Sequence, residues 1–471
     1  MNKGKFYFIA PKISVEISKA ESDRLTRWFN AQQSLRNKIL HNWQVSNNIK
    51  LKEPNPSLHS PHFGLLTLAS LLLENGYNVE YLDQEWLEKK DEWIPTLSKI
   101  TKDAIAFFIG SITISYPYAV ELIKYLKSKS EAKIILGGHH VTYMDIQAIE
   151  DGADIVIRGE AESGIQTIAN EILINRFCWD NVPNATFLKN GKIYRTQLKS
   201  NLNYLHPIFP FDLLDKEQLK LQEIYVFPSR GCKHSCSFCI EGGKYWNGHY
   251  QLSLNQIRSN LLSYNNLLDF NFVYLYDSNF GEDKIWTINL CNLLKNEFPN
   301  LYFKTLLRLD LVDEELLIAF RDAGIIEVLV GIESGDENIR KLSGKSMSDD
   351  YIFEKLILLN KYIPLVKTSW LVGLPYETKE TCKKTIDFIE QVHSMQLVSE
   401  ASCRIASYYP GTHVFEDPEK HEVSFLNFNW KQYHRRCVPP YNLKNLNAQE
   451  IYNYYSKAVE KEIQLIENRL K

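Results

Sequence analysis

The sequence predicts an α/β protein. A flavodoxin-like (Rossmann-like) domain precedes a partial (β/α)6 barrel of the TIM type, and a short, mainly helical C-terminal region follows. Three observations predict it. Short runs rich in Ile, Val, Phe and Tyr alternate with amphipathic helical stretches over residues 5–174. The alternation restarts after a proline-bearing segment and yields six further strand candidates between residues 223 and 407. Directly after the first of these six lies a loop with three closely spaced cysteines, and the carboxyl ends of strands are where such barrels carry their chemistry. The expected boundaries are 1–200 for the first domain with an insertion at 11–60, 201–220 for a linker, 221–412 for the barrel and 413–471 for the C-terminal region.

A chain of 471 residues can bury two or three full cores, and 44% hydrophobic with 24% charged residues is an ordinary soluble composition. A net charge of −3 offers no electrostatic reason for binding nucleic acid or an anionic membrane. Of eight cysteines three share one loop, and Cys178, Cys291, Cys382, Cys403 and Cys437 are scattered. That usage suits a reducing cytosol rather than a disulfide scaffold. No apolar run approaches a membrane span or a secretory signal, so a cytoplasmic protein is expected.

In the first domain the strand candidates are 5–10, 78–83, 104–109, 133–136 and 154–158, with helical periodicity at 64–74, 119–128 and 163–174. Inside the insertion, 17–40 has helical composition around Trp28 and Phe29. Parallel sheets bind ligands beyond the carboxyl ends of their strands. Those ends read Gly110-Ser111-Ile112-Thr113, Gly137-Gly138-His139-His140 and Arg158-Gly159-Glu160-Ala161-Glu162. Glycines let a ligand approach the backbone, and the hydroxyls of Ser111 and Thr113 suit a polar tail.

A linker at 203–215 leads to barrel strands at 223–227, 272–276, 303–308, 327–332, 367–372 and 402–407, with helices at 255–264, 313–323 and 379–395 among the connections. The strand ends carry Asp277-Ser278-Asn279-Phe280, Arg308-Leu309-Asp310, Gly331-Ile332-Glu333-Ser334-Gly335, Gly373-Leu374-Pro375-Tyr376-Glu377-Thr378 and Tyr409-Pro410-Gly411-Thr412. Singly, Asp277, Asn279 and Thr378 are equally good helix caps. In the tail, 448–469 is an amphipathic helix, and Tyr433, His434, Arg435, Arg436 and Cys437 are candidates for either a substrate pocket or plain surface.

The cysteine loop reads SRGCKHSCSFCI over 229–240, with Cys232, Cys236 and Cys239 in C-x3-C-x2-C spacing and Phe238 before the last. Three thiolates on a cubane leave one iron without a protein ligand, and an open metal position is what a reactive site needs. The spacing also admits zinc with His234 or His249 as fourth ligand, or thiols that merely share a loop. Zinc sites, however, normally pair their ligands in two units, and no second pair follows.

This loop resembles the cluster loop of radical SAM enzymes. The stretches PHFGLLTLASLLLENGYNVEYLD (61–83) and VPNATFLKNGKIYRT (182–196), with the glycine-rich strand ends, resemble the cobalamin-binding domain found ahead of many such barrels. The resemblance implies a 4Fe-4S cluster on Cys232, Cys236 and Cys239 with S-adenosylmethionine at the open iron. It assigns Phe238, Asp277, Asn279, Arg308, Glu333, Ser334 and Gly373 to the cluster and S-adenosylmethionine. It assigns Ser111, Thr113, Gly137, Gly138, His139, Gly159 and Glu160 to cobalamin. One departure concerns cobalt: where some cobalamin proteins have D-x-H-x-x-G after the first strand, this chain reads Pro11-Lys12-Ile13-Ser14. His139 and His140 are possible replacements, although a loop histidine touching the nucleotide tail or solvent is the plainer reading. The implied activity is C-methylation of an unactivated carbon of a small molecule or peptide, through a deoxyadenosyl radical and methylcobalamin, with electrons from a flavodoxin or ferredoxin. Rearrangement, ring contraction or cyclisation with the same cofactors is a second reading, and a non-catalytic cobalamin or redox sensor a third.

Overall fold

The structure, a computed structural model, describes residues 4–13, 17–52, 61–199, 210–215, 217–218, 224–241, 249–265 and 271–471. Most of the expected linker and part of the insertion lie outside the described residues.

The first sheet comprises β1 (Lys5–Ala10), β2 (Val79–Asp83), β3 (Ala104–Gly110), β4 (Lys133–Gly137), β5 (Ile155–Ile157), β6 (Ala185–Lys189) and β7 (Lys192–Arg195). Their order is β2-β1-β3-β4-β5-β6-β7, and the first five are parallel, as a flavodoxin-like fold requires. Successive side chains point to opposite faces, so each strand feeds two cores. Phe6, Phe8, Phe108 and Ile135 pack under helices Phe63–Glu74 and Ile165–Leu173. Tyr7, Ile9, Phe107 and Ile134 pack under helices Trp93–Asp103 and Tyr116–Lys129. Burial on both faces is why these strands read as unbroken apolar runs.

Strands β6 and β7, which the periodicity did not reveal, form an antiparallel hairpin at the sheet edge. Asn190 and Gly191 make its two-residue turn, both with positive φ (53° and 73°), the combination a type I′ turn needs.

The second sheet is the predicted six-stranded parallel one. It contains β8 (Ile224–Val226), β11 (Phe272–Leu275), β12 (Tyr302–Leu307), β13 (Ile325–Glu333), β14 (Leu365–Val372) and β15 (Glu400–Ile405), with the short pair β9 (Ser229–Arg230) and β10 (Tyr250–Gln251) beside it. The order β15-β14-β13-β12-β11-β8 follows the chain, and no bond joins its two edge strands, so the barrel is partial. The C-terminal helix Ala448–Leu470, opened by an Asn447–Glu450 capping box, sinks Ile451, Tyr455, Val459 and Ile463 into the barrel core. It supplies the helix of the sixth β/α unit.

The insertion folds into one long helix, Lys19–Asn47, which packs on the barrel although its sequence interrupts the first domain. Leu40 clusters with Phe272, Ile326 and Leu365, residues at or near the amino-terminal starts of three barrel strands. Trp28 joins the barrel core, and its indole N–H donates to Glu462 on the C-terminal helix (2.7 Å). Arg36 donates to Glu327 of β13 (3.0 Å). The helix therefore closes the floor of the barrel and leaves the opposite mouth for ligands. The tail also reaches the first domain, where Trp430 and Tyr433 join the core beneath helix Tyr116–Lys129. No described helix is long and apolar enough to cross a membrane.

Trp28 is 2% exposed, so Trp28→Ala opens a cavity and removes one of the hydrogen bonds to buried Glu462, which keeps those from Ala401 N–H and Gln32. Its expected cost is about 3–5 kcal/mol, read as a lowered urea midpoint for loss of barrel structure. Phe29, 45% exposed on the same helix, is the control whose replacement by Ala leaves the midpoint nearly unchanged.

Candidate active site

The cysteine loop is held from several sides. Gly231, with φ +79°, turns the chain out of β9, and the N–H of Cys239 bonds the carbonyl of Cys236 (3.0 Å). Gly344 comes so close that a Cβ there would stand 3.2 Å from the Cα of Cys236. Phe238 packs against the barrel core. All three cysteines are free thiols, and burial pushes Cys239 up to about 12 and raises Cys232 as well. Arg308 brings a guanidinium nitrogen to 3.5 Å from the Cys236 sulfur while its other nitrogens bind Asp310 (3.0 and 2.7 Å).

Both histidines named as zinc ligands are engaged elsewhere. His234 lies 3.1 Å from Glu282, and His249 lies 2.8 Å from the hydroxyl of Ser229. Among the described residues no three metal-ligating side chains converge on one ion.

Several strand-end residues hold one another in place. Asp277 is buried, which raises its carboxyl, and it accepts the Ser229 hydroxyl (2.6 Å) and the Asn279 N–H (2.8 Å). The Asn279 side chain in turn accepts the N–H of Arg308 (3.2 Å) and bonds Glu282. Glu333 ends β13 at φ +74°, a strained backbone for a non-glycine, and pairs with Lys345 (2.8 Å). Ser334 is buried beside Thr385. Gly373, assigned to an adenine contact by resemblance, has a protein neighbour at its Cα: a Cβ there would stand 2.6 Å from the Tyr441 hydroxyl.

A cavity of about 330 Å³ lies between the carboxyl ends of the two sheets. From the first domain Gly137, Gly138, His139, Gly159 and Glu160 line it. From the second come Phe227, Ser229, Arg230, Gly231 and Tyr276, so the cysteine loop's own stem forms a wall. Arg230 and Glu162 join the domains at its edge (2.5 Å), and against partial burial Glu162 holds the guanidinium in its charged form.

Two expected contacts are corrected. Ser111 and Thr113 do not line the cavity. The Ser111 hydroxyl turns to its own loop, and that of Thr113 lies 3.3 Å from Nδ1 of His140. The cause is Gly138 (φ +110°), whose backbone packs so tightly on Ser111 that a Cβ would stand 2.4 Å from its carbonyl oxygen. His140 faces away as well, enclosed by Tyr116 and Trp430 and held near pKa 3 by burial. Sequence reasoning missed His62, which lines the cavity. Its Nδ1 accepts the Leu65 N–H (3.2 Å) as the cap of helix Phe63–Glu74, so the neutral ring offers Nε2–H, a donor and not a lone pair for cobalt. A histidine just ahead of a helix, in the capping position, was the signal.

Residues 57–169 match the B12 binding domain, and residues 226–389 match the radical SAM superfamily. The chain belongs to the cobalamin-binding radical SAM enzymes. Over 412 residues it is 26% identical to an uncharacterised methyltransferase of Pyrococcus horikoshii, covering 84% of this chain and 86% of that one. Over 264 residues it is 26% identical to the anaerobic magnesium-protoporphyrin IX monomethyl ester cyclase of Rubrivivax gelatinosus, covering 53% and 47%. The fold is that of the radical S-adenosylmethionine methyltransferase TsrM of Kitasatospora setae, solved with cobalamin and a 4Fe-4S cluster. The TM-score is 0.67 at 15% identity, with 92% of this chain and 81% of that one covered.

As in other cobalamin-binding radical SAM enzymes, the cofactors are a 4Fe-4S cluster, S-adenosylmethionine and cobalamin, and the residues present fit them. Three unpaired thiols beside a guanidinium suit the cluster. A bare glycine rim with Leu65, Ile135 and Phe227 behind it suits the apolar face of a macrocycle. At Gly137 a Cβ would meet no atom within 4 Å, so a side chain there folds freely and projects into open space.

Gly137→Phe is therefore expected to retain iron and sulfide yet lower bound cobalamin about tenfold or more. Cys236→Ala is expected to do the reverse. Iron analysis and the visible corrin absorbance of the same reconstituted samples check both.

Proposed function

We propose that this chain methylates an unactivated carbon of a small-molecule or peptide substrate. The observation carrying the reading is that one cavity takes its walls from both the glycine-rich loops of the first domain and the stem of the cysteine loop. A substrate in the barrel mouth would then face both halves of the machinery. When bound, the cluster and S-adenosylmethionine supply hydrogen-atom abstraction, and cobalamin supplies the methyl group.

The chain's residues do the rest. Cys232, Cys236 and Cys239 hold the cluster, with Arg308 offsetting thiolate charge at Cys236. Ser229, Asp277 and Asn279 lock the loop's stem to the end of β11. Arg230 and Glu162 keep the two domains in register across the cavity. Phe63 and Phe227, in contact at 5.5 Å between ring centroids, exclude water from its rim. Electrons would come from a flavodoxin- or ferredoxin-type donor in the cytoplasm.

A relative named as a cyclase favours a second reading, rearrangement or ring closure without methyl transfer. Incubation with methyl-labelled S-adenosylmethionine, reductant and candidate substrates separates the two. Methylation puts label into product, whereas deoxyadenosine with an unlabelled altered product selects rearrangement.

A further inference from the structure

The barrel's open edge carries a group of cations that no cofactor assignment uses. Arg404 lies next to the end of β15, on the opposite side from Cys403, which is buried toward the helices near Glu462. Beside it runs the segment containing His434, Arg435 and Arg436. The N–H of Ile405 bonds the carbonyl of Arg435 (2.9 Å), so this segment lies where a closed barrel would have its next strand.

The three guanidinium groups lie near one another along this open edge. Arg436 stands 5.3 Å from the Trp28 ring and Arg435 5.8 Å from the Tyr409 ring. Burial raises the phenol of Tyr276, in the cavity wall, and Arg435 is close enough to oppose that shift. Burial and then the other two arginines make Arg404 easier to deprotonate, and burial with all three arginines holds His434 near pKa 4. Like charges this close repel one another, and against them the fold sets the Trp28 and Tyr409 rings and the attraction of Glu400 for Arg404, with no direct ion pair. Among the described residues none of the three arginines has an ion pair, and Nε of Arg404 and Nδ1 of His434 are buried without a hydrogen-bond partner. Nearby carboxylates are committed elsewhere: Glu400 to Lys367 (3.3 Å), Glu327 to Lys367 and Arg36 (2.8 and 3.0 Å), and Glu21 to Arg24.

We propose that Arg404, Arg435 and Arg436 form the recognition site for an oxyanion on the substrate, a carboxylate or a phosphate. A planar fork of N–H donors matches either group, and its arrival would relieve the repulsion that the empty cluster sustains. This names the substrate class of the site described above, and it rests on that functional reading only in calling the bound molecule a substrate.

Equilibrium binding to the cofactor-loaded protein tests it. Inorganic phosphate, pyrophosphate and succinate are titrated calorimetrically at ionic strength held constant with potassium chloride, with butane-1,4-diol as the neutral analogue of succinate. Saturable binding of at least one oxyanion and none of the diol is expected, with phosphate against succinate telling which source the site prefers. Arg404→Met and Arg435→Met are each expected to weaken that binding about tenfold or more, with Arg404→Lys falling between. Arg435 is exposed, so its variant remains a fair test if the Arg404 variant fails to fold. No saturable oxyanion binding, or binding that Arg435→Met leaves unchanged, overturns the proposal. Because the readout needs no turnover, oxyanion binding without label transfer keeps this site and removes the methylation reading. Label transfer without oxyanion binding does the opposite.

Discussion

Glu162 and Arg230 meet where the carboxyl edges of the two sheets face each other, and the placement of everything else follows from that contact. Glu162 lies in the loop after β5 and Arg230 in the stem of the cysteine loop. A buried ion pair contributes little net stability, because desolvation offsets most of its attraction, but it is costly to break from one side only. It therefore acts as a register mark: Glu162 is buried with Arg230 as its partner, while Arg230 stays partly open to solvent. With that contact made, the glycines of the first domain and the wall formed by 229–231 face one space.

The floor of the barrel is treated differently. Glu327, Lys367 and Arg36 lie together near the strand starts, and their mutual attraction holds the carboxyl well below and the ammonium well above their ordinary ranges. Each charge there has a partner, and helix Lys19–Asn47 covers them. Along the open edge, Arg404, Arg435 and Arg436 have no ion pair among the described residues. The same kind of side chain is thus balanced where the barrel is sealed and left unbalanced where it opens. A folded chain retains unbalanced charge most readily where a ligand completes it.

Eleven parallel strands were legible because burial on both faces writes a parallel strand as a short apolar run, and the order in which runs and helices alternate carries the topology. The β6–β7 hairpin has a sequence signal of its own in Asn190-Gly191, but β7 is exposed throughout and so makes no apolar run. The insertion's helix could be recognised but not placed, since its partners Glu462 and Glu327 lie 434 and 291 residues away in sequence. Of the site, the glycines at 137, 138 and 159 were found because bare backbone near a ligand has a composition of its own. Ser111 and Thr113 were misplaced because the direction of a side chain in a loop has no period to read. Gly373 illustrates the same limit, since a glycine demanded by Tyr441 looks in sequence like a glycine demanded by a ligand.

The cysteine loop shows why so exposed a chemistry can rest on so short a segment. Burial, helped by the neighbouring thiols and carboxylates, raises the thiols of Cys232 and Cys239, so the unloaded loop carries no thiolate charge there for the fold to tolerate. Deprotonation becomes favourable only with a metal to receive the sulfur, which ties loading of the site to loss of protons. Arg308 is already held by Asp310, at 3.5 Å from Cys236, so its charge need not be recruited when that happens. The backbone contributes in the same sense: Gly344 leaves no room for Cys236 to retreat, and the strained turn at Glu333 is secured by Lys345. Rigidity is set before the metal arrives, and the loop's charge only afterwards. That order lets three cysteines within eight residues stay both stable and open.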